Sequence, residues 1–385
     1  MTNHMKVPSI RFKGFTDDWE QRKLSDILER RQIYQQISKD TPRLAFAAGQ
    51  GVIPLSERKT NNRDQLIADE ATKRYLLTEY NDLVYNPANL KYGAIDRNKF
   101  GRGLISPIYV TFTTTEEPSF IERIITSDNF KLKALQFEEG TVVKRQSVSP
   151  DNLLSFAEWI SPHRKEQSQI GELFTILDNH IALYQQKHDN LLVIRSIMLE
   201  KMFPKEGQKI PEIRFKGFTG DWEKRKLSEL VSYTSSSLTI KDVEPDGKYD
   251  LYDANNLIGK TNSKPMNTDY ITIIKDGAGV GRTRKLPANS MFIGTMGGLQ
   301  TSESDIDFII SLLRKVDFSS QFSGSTIPHI YFKDYGEVTY LIPNIDEQIT
   351  IGKYFGNLDN FITLQHRKIE KLKNIKKAML GKMFV

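Results

Sequence analysis

The sequence predicts an α+β fold: two globular modules of mixed α/β character, separated by two long helices that pair with each other as an intramolecular coiled coil in a pseudo-twofold repeat. Three observations carry this expectation. Two segments occur twice along the chain, and one of them bears a helical heptad stripe in both copies. The stretches between the repeats mix short β-branched runs with glycine, asparagine and proline.

The first repeated segment runs from Ile10 to Ile27 and returns from Ile213 to Leu230, 203 residues later, with 14 of 18 positions identical. The second runs from Glu166 to Phe203 and returns from Glu347 to Phe384, 181 residues later, with 18 of 38 positions identical. The intervening stretches, about 28–165 and about 231–346, show no comparable likeness, and the first is longer by 22 residues. Two frames kept alike around contents that differ suit a scaffold presenting two modules of different specificity.

The second repeat is helical by its period. Ile170, Phe174, Leu177, Ile181, Tyr184, His188, Leu191, Arg195, Met198 and Met202 follow alternating steps of four and three. Ile351, Phe355, Leu358, Ile362, Gln365, Ile369, Leu372, Lys376, Met379 and Met383 repeat that grid. This is a heptad seam, weakest at His188, Arg195, Gln365 and Lys376. Its strongest candidates are Phe174, Leu177, Ile181, Leu191 and Met198 in one copy, and Phe355, Leu358, Ile362, Leu372 and Met379 in the other. One good stripe per helix calls for one long partner, and the other copy is at hand. The alternative is two amphipathic helices, each packed on a local core. A helix of this length spans about 57 Å, close to 17 base pairs of duplex. Proline at 204 stops the first helix, and Lys205–Pro211 reads as a linker. The chain therefore divides into a module at 1–160, a helix at 161–205, a module at 206–345 and a helix at 346–385.

Within the modules, Leu104–Phe112, Tyr270–Ile274 and Val338–Ile342 read as strands, and Ser119–Asp128 and Ser304–Lys315 as helices. Composition is that of a globular protein, with 38% hydrophobic and 26% charged residues. No apolar run is long enough for a membrane span, and Met1–Pro8 lacks the apolar core of a signal peptide, so a cytoplasmic location is expected. The absence of cysteine excludes disulfides, thiolate zinc sites and a cysteine nucleophile. A net charge of +6 fits a polyanionic partner, because lysine and arginine displace phosphate counterions.

The motifs that resemble catalytic ones each lack a required part. Ala254–Thr261 fits a loose phosphate-loop pattern ending in Lys260, but its first glycine is alanine and a proline soon follows. Gly277-Ala-Gly-Val-Gly281 is not spaced as a dinucleotide loop, and a basic stretch follows it in place of an apolar helix. Asn86-Pro-Ala-Asn89 is like an amino-methyltransferase motif without its second proline and its aromatic. The six histidines, at 4, 163, 180, 188, 329 and 366, have no metal-ligand spacing, and no metal or other cofactor is expected. What remains is basic, amide-bearing and aromatic: Asn89, Lys91, Tyr92, Arg97 and Lys99; Lys144, Arg145 and Gln146; Lys275, Arg282, Arg284 and Lys285; and the turn bearing Ser325, Thr326 and His329. Arginine and lysine suit guanine edges, asparagine and glutamine suit adenine edges, and surplus cations position phosphates. These are the candidate DNA contacts, and a solvated surface charge is the competing role for each.

With these segments in view, the chain resembles the specificity (S) subunit of a type I restriction-modification system. The stretches that carry the resemblance are Asp17–Leu24 and Gly220-Asp-Trp-Glu-Lys-Arg-Lys-Leu227, which open the two halves. Tyr85–Ala94 and Ile105-Ser-Pro-Ile-Tyr109 follow in the first module. In the second, Gly324-Ser-Thr-Ile-Pro-His329 leads to Ile342-Pro-Asn-Ile-Asp-Glu-Gln348, whose counterpart is Ile160-Ser-Pro-His-Arg-Lys-Glu-Gln167. The resemblance implies two target recognition domains joined by two long helices packed antiparallel. Each domain would read one half of a bipartite site in double-stranded DNA, and the helices would set the unread spacer. It also implies two methylation (M) subunits that supply S-adenosylmethionine chemistry, restriction (R) subunits in the full complex, and no catalysis by this chain. The competing functions are a fused DNA methyltransferase, a phosphate-loop ATPase using Lys260, or a stand-alone coiled-coil DNA-binding scaffold.

Overall fold

A computed structural model describes residues 7–58, 73–139, 147–277, 279–324 and 327–385. The chain forms two compact units, one from residues 1–183 with 369–385, the other from 184–368. Two long helices, Arg164–Lys201 and Ile345–Met383, each give one half to each unit. No helix among the described residues is long and apolar enough to cross a membrane.

Each unit is built on a four-stranded antiparallel sheet, and the two sheets have the same strand order although their sequences differ. In the first unit the order across the sheet is Leu28–Arg31, Val110–Thr114, Leu83–Tyr85, Ile95–Arg97. In the second it is Val231–Ser235, Met296–Thr301, Tyr270–Ile274, Thr283–Leu286. The two central strands, Leu-Val-Tyr at 83–85 and Tyr-Ile-Thr-Ile-Ile at 270–274, are buried throughout, as β-branched and aromatic residues favour. A short helix packs near each sheet, Pro118–Ile125 in the first unit and Ile306–Lys315 in the second. Beyond this shared frame the units differ. The first adds a hairpin, Leu44–Ala47 with Gly51–Pro54, and a small sheet of Tyr34–Gln35, Tyr75–Thr78 and Gly103–Ile105. The second adds Tyr249–Tyr252, flanked by Leu257–Thr261 and Ser290–Phe292.

The stretch expected as one strand at 104–112 is two, Gly103–Ile105 and Val110–Thr114, in different sheets. Pro107 lies between them, and its missing N–H cannot serve a central ladder. The Tyr270–Ile274 strand, and one at Thr339–Ile342, lie where the pattern placed them.

The repeated segments close the units. Glu20–Lys23 pairs with Ala157–Ile160, and Glu223–Lys226 with Thr339–Ile342, each ribbon leading into a long helix. Behind each ribbon sits a cluster of four aromatic rings. Trp19, Phe120, Phe174 and Phe384 have centroids 5.4–6.1 Å apart in the first unit. Trp222, Phe308, Phe355 and Phe203 lie 5.5–6.2 Å apart in the second. The repeated Lys-Met-Phe endings thus serve as plugs, each phenylalanine completing the core of the unit that the other helix enters.

Inside each unit the helix halves run antiparallel. In the second unit Arg195 meets Asp359, His188 lies 6.0 Å from His366, and Phe203 packs on Phe355, so numbers rise on one helix as they fall on the other. In the first, Phe174 packs on Phe384 and Asp178 meets Lys376. Every position of both heptad grids is buried or half-buried. Burial is deepest at Ile170, Phe174, Met202, Ile351, Phe355 and Met383, where the seam merges with a unit's core, and at Ile369 between the helices. The two packing alternatives therefore coexist: each stripe faces its partner helix and, at its ends, a local core.

Candidate nucleic-acid interface

The candidate residues of each unit collect at one topological place, the connection between the third and fourth strands across the shared sheet. In the first unit this connection joins Leu83–Tyr85 to Ile95–Arg97 and holds a 3-10 turn, Pro87–Tyr92. Asn86 caps the turn by accepting from Ala88 N at 3.0 Å, and Pro87 supplies a preset φ. Leu90 anchors the turn in the core, and Gly93 ends it at φ 76°. Asn89 is left exposed and Tyr92 projects with 71% of its surface free. Lys91 lies 5.6 Å from the Tyr92 ring and 3.8 Å from Glu138.

A second loop is pinned beside this turn. Val148 N donates to Pro87 O at 3.1 Å, and Glu139 and Ser147 exchange backbone bonds of 2.9 and 3.1 Å. Lys144, Arg145 and Gln146 fall between Glu139 and Ser147 in sequence and lie outside the described residues.

Arg97 is a correction to the sequence reading. Arg97 is 5% exposed, with Nε donating to Glu122 at 2.7 Å and Nη1 to Asn81 at 2.7 Å. Lys99 Nζ donates to Glu122 at 2.8 Å and lies 3.3 Å from Asp96. Burial pushes the Glu122 carboxyl up, but Arg123, Lys99 and Arg97 outweigh it and hold the group below the usual carboxylate range. Arg97 is buried in this ion network, whereas the Lys99 side chain stands at its edge, 45% exposed. Basic spacing in sequence does not reveal which carboxylate a strand residue faces.

In the second unit the matching connection joins Tyr270–Ile274 to Thr283–Leu286. Gly277, Gly279 and Gly281 all have φ of +86°, which side chains rarely adopt. A Cβ at Gly281 would also lie 2.8 Å from the Phe318 ring. The turn closes through Gly281 N to Ile274 O at 2.9 Å and Ile274 N to Arg282 O at 3.0 Å. Here too a second loop is docked alongside. Gly277 N donates to Pro328 O at 3.1 Å, and His329 Nδ1 lies 2.7 Å from Asp276 Oδ1. Ser325 and Thr326 lie outside the described residues, between Gly324 and the exposed Ile327.

Lys275 is half-buried at the root of this turn, with no carboxylate in ion-pair range among the described residues. Arg282 donates to Asn255 Oδ1 at 2.6 Å and Ala254 O at 3.2 Å, an amide and a carbonyl that leave its charge uncancelled. Arg284 stacks 5.2 Å over Tyr252, and its Nη1 is buried without a hydrogen-bond partner. Lys285, next along the strand, faces the other way and pairs with Asp307 at 2.8 Å. Lys285 is the register counterpart of Arg97: the two stand opposite Ile271 and Leu83 in matching ladders, and both are taken by a carboxylate of the short helix. Unlike Arg97, Lys285 keeps a third of its side chain exposed.

The structure thus gathers Asn89, Lys91 and Tyr92 in one unit, and Lys275, Arg282 and His329 in the other. It withdraws Arg97 into a buried ion pair, and it pairs the partly exposed Lys99 and Lys285 with carboxylates. Asn255, which orients Arg282, was missed, because nothing in the sequence ties residue 255 to residue 282. The Ala254–Thr261 stretch is a turn leading into the Leu257–Thr261 strand, not a loop opening a helix. Among the described residues no group of acidic and histidine side chains could hold a metal ion.

The family model described as "Type I restriction modification DNA specificity domain" matches residues 219–374. The "Type I restriction enzyme MjaVIII specificity subunit" of Methanocaldococcus jannaschii is 26% identical over 210 residues, covering 50% of this chain. The chain spans about half the length of that curated relative, 47% of it. Among solved structures, the type-I restriction-modification system S subunit from M. genitalium superposes with a TM-score of 0.70. That match covers 98% of this chain and 99% of the other at 15% identity, so what the two share is the fold.

Proposed function

We propose that this chain is a specificity subunit of a type I restriction-modification system, selecting DNA for a larger methylating complex without itself performing chemistry, as the matched family model and curated relative support. One observation carries the reading: two units with the same sheet order present different polar turns at the same topological place. One half-site is read by the unit built from residues about 1–160 and the other by the unit built from about 206–345. The paired helices hold the readers apart and set the unread gap. Two methylation subunits bring S-adenosylmethionine chemistry, and restriction subunits, where present, bring cleavage. The location is cytoplasmic, where such a complex meets its DNA.

The two turns differ in chemistry, and that difference is the source of two unlike half-sites. Tyr92 and Asn89 offer an aromatic face and an amide, the latter suited to an adenine edge. Arg282, held flat by Asn255, offers a guanidinium fork suited to guanine. Lys275 supplies charge to a phosphate. Arg282→Ala is expected to cost about 1–3 kcal/mol of binding and to relax one base-pair position of the second half-site. Lys275→Ala is expected to weaken all sequences alike and to lower the salt dependence by about one counterion. Titrations of the assembled complex at several salt concentrations check both.

Module exchange tests the reading as a whole. Replacing residues 231–338 with the corresponding module of another specificity subunit should change the second half-site and leave the first half-site and the gap as they were. A change in both half-sites would contradict the reading.

A further inference from the structure

Each long helix carries one aspartate that meets cations from two different elements. In the first unit Asp178 accepts from Arg123 Nη1, on the short helix Pro118–Ile125, at 2.7 Å, and from Lys376 Nζ, on the second long helix, at 2.5 Å. In the second unit Asp359 accepts from Arg195 Nη1, on the first long helix, at 3.1 Å, and from Arg314 Nη1, on the short helix Ile306–Lys315. Asp178 and Asp359 lie 181 residues apart, as do Arg195 and Lys376, so two members of each trio come from the repeat.

The third member does not. Phe120 and Phe308 occupy matching places in the two aromatic clusters, yet Arg123 follows its phenylalanine by three residues and Arg314 by six. The two arginines sit about one helical turn apart on their short helices, in stretches without sequence likeness. Both guanidiniums nevertheless end on the equivalent carboxylate. The groups are partly shielded, with side chains of Asp178 and Asp359 33% and 25% exposed, so these bonds are stronger than open surface pairs.

Arg195 and Lys376 are, with His188 and Gln365, the polar interruptions of a mostly apolar grid. One polar residue in a coiled-coil seam fixes register at some cost in stability. A lock between two helices needs only the two repeat-derived partners. The extra cation comes from the reader, and it joins the reader's short helix to the same lock. We propose that Asp178 and Asp359 are positioning residues that fix each reader against its helix pair, and with it the number of base pairs left unread. The proposal rests on the chain being a two-site DNA reader.

The test uses the complete complex and duplexes carrying the mapped half-sites at the natural gap, or at one base pair more or fewer. Wild type should discriminate against the altered gaps. Asp359→Asn and Arg314→Met should each reduce that discrimination about tenfold, the scale of a lost charge-assisted contact, with the half-site bases unchanged. Arg195→Met should leave it intact, since methionine suits the heptad grid and the reader's own bond remains. Asp178→Asn, Arg123→Met and Lys376→Met should behave likewise in the first unit. Equal weakening of all three duplexes by Asp359→Asn, or an Arg195→Met effect as large as that of Arg314→Met, would overturn the proposal and leave the aspartates as helix clamps. A wild-type complex that accepts several gaps would instead overturn the two-site reading beneath it.

Discussion

Glu347→Ala is expected to destabilise the second unit by about 3–5 kcal/mol, the cost of breaking a buried ion pair from one side. Glu347 is fully buried and accepts from Arg214 Nε and Nη2, both at 2.7 Å, in a forked geometry. Arg214 also donates to Gly220 O and Thr219 O, so the pair ties the opening segment of the second half to the first turn of the long helix. Removing the carboxylate strands a guanidinium whose side chain is 15% exposed. Glu347→Gln keeps an acceptor and should cost less. The matching Glu166 has more to lose. It accepts from Arg11 at 2.5 and 2.9 Å, from Trp19 Nε1 at 3.2 Å and from Ser161 Oγ at 2.5 Å. Glu166→Ala should therefore harm the first unit at least as much. Peptide-resolved hydrogen exchange separates the two, because each variant should lose protection in one unit. A loss below about 1 kcal/mol for either would show that these carboxylates do not hold the opening segments in place.

Lengthening both helices by one heptad, after Gln186 and after Arg367, is expected to widen the unread gap by roughly three base pairs. Seven residues add about 10.5 Å of helix, and a base pair rises about 3.4 Å. The two insertion points are equivalent in the repeat, and a heptad restores the seam phase on both sides. Each helix half keeps its own contacts, Asp178 with Lys376 and Asp359 with Arg195. The half-sites should stay the same. Extending only one helix puts its seam out of step with the partner and should abolish tight binding altogether. Unchanged spacing in the doubly extended chain would mean that the helices do not set the gap.

The frame of the molecule is legible in its sequence for a physical reason. A heptad grid is a local signal, and duplication writes it twice, so Phe174, Leu177 and Ile181 and then Phe355, Leu358 and Ile362 declare the seam without knowledge of the fold. Even the weak grid members Arg195 and Lys376 were visible; their carboxylate partners, at 178 and 359, were equally fixed in the repeat but needed three dimensions to be connected. The common sheet order was not legible. Strands such as Leu83–Tyr85 and Tyr270–Ile274 share only a requirement for buried β-formers, which many unrelated sequences meet. Their neighbours are set by long-range pairing that no local pattern records. The candidate contacts divide along the same line. Asn89, Tyr92 and Arg282 sit on turns announced by glycine, proline and asparagine, whereas Arg97 and Lys285 sit on strands. A strand cation can point to solvent or to a helix carboxylate, and sequence alone does not say which.

Mapping the modified bases in DNA exposed to the assembled complex tests most directly whether unlike readers are held at a set distance. The account predicts two short, dissimilar half-sites, always separated by the same number of unspecified base pairs. A single unbroken run of specified bases would contradict it, as would half-sites that recur at varying separations.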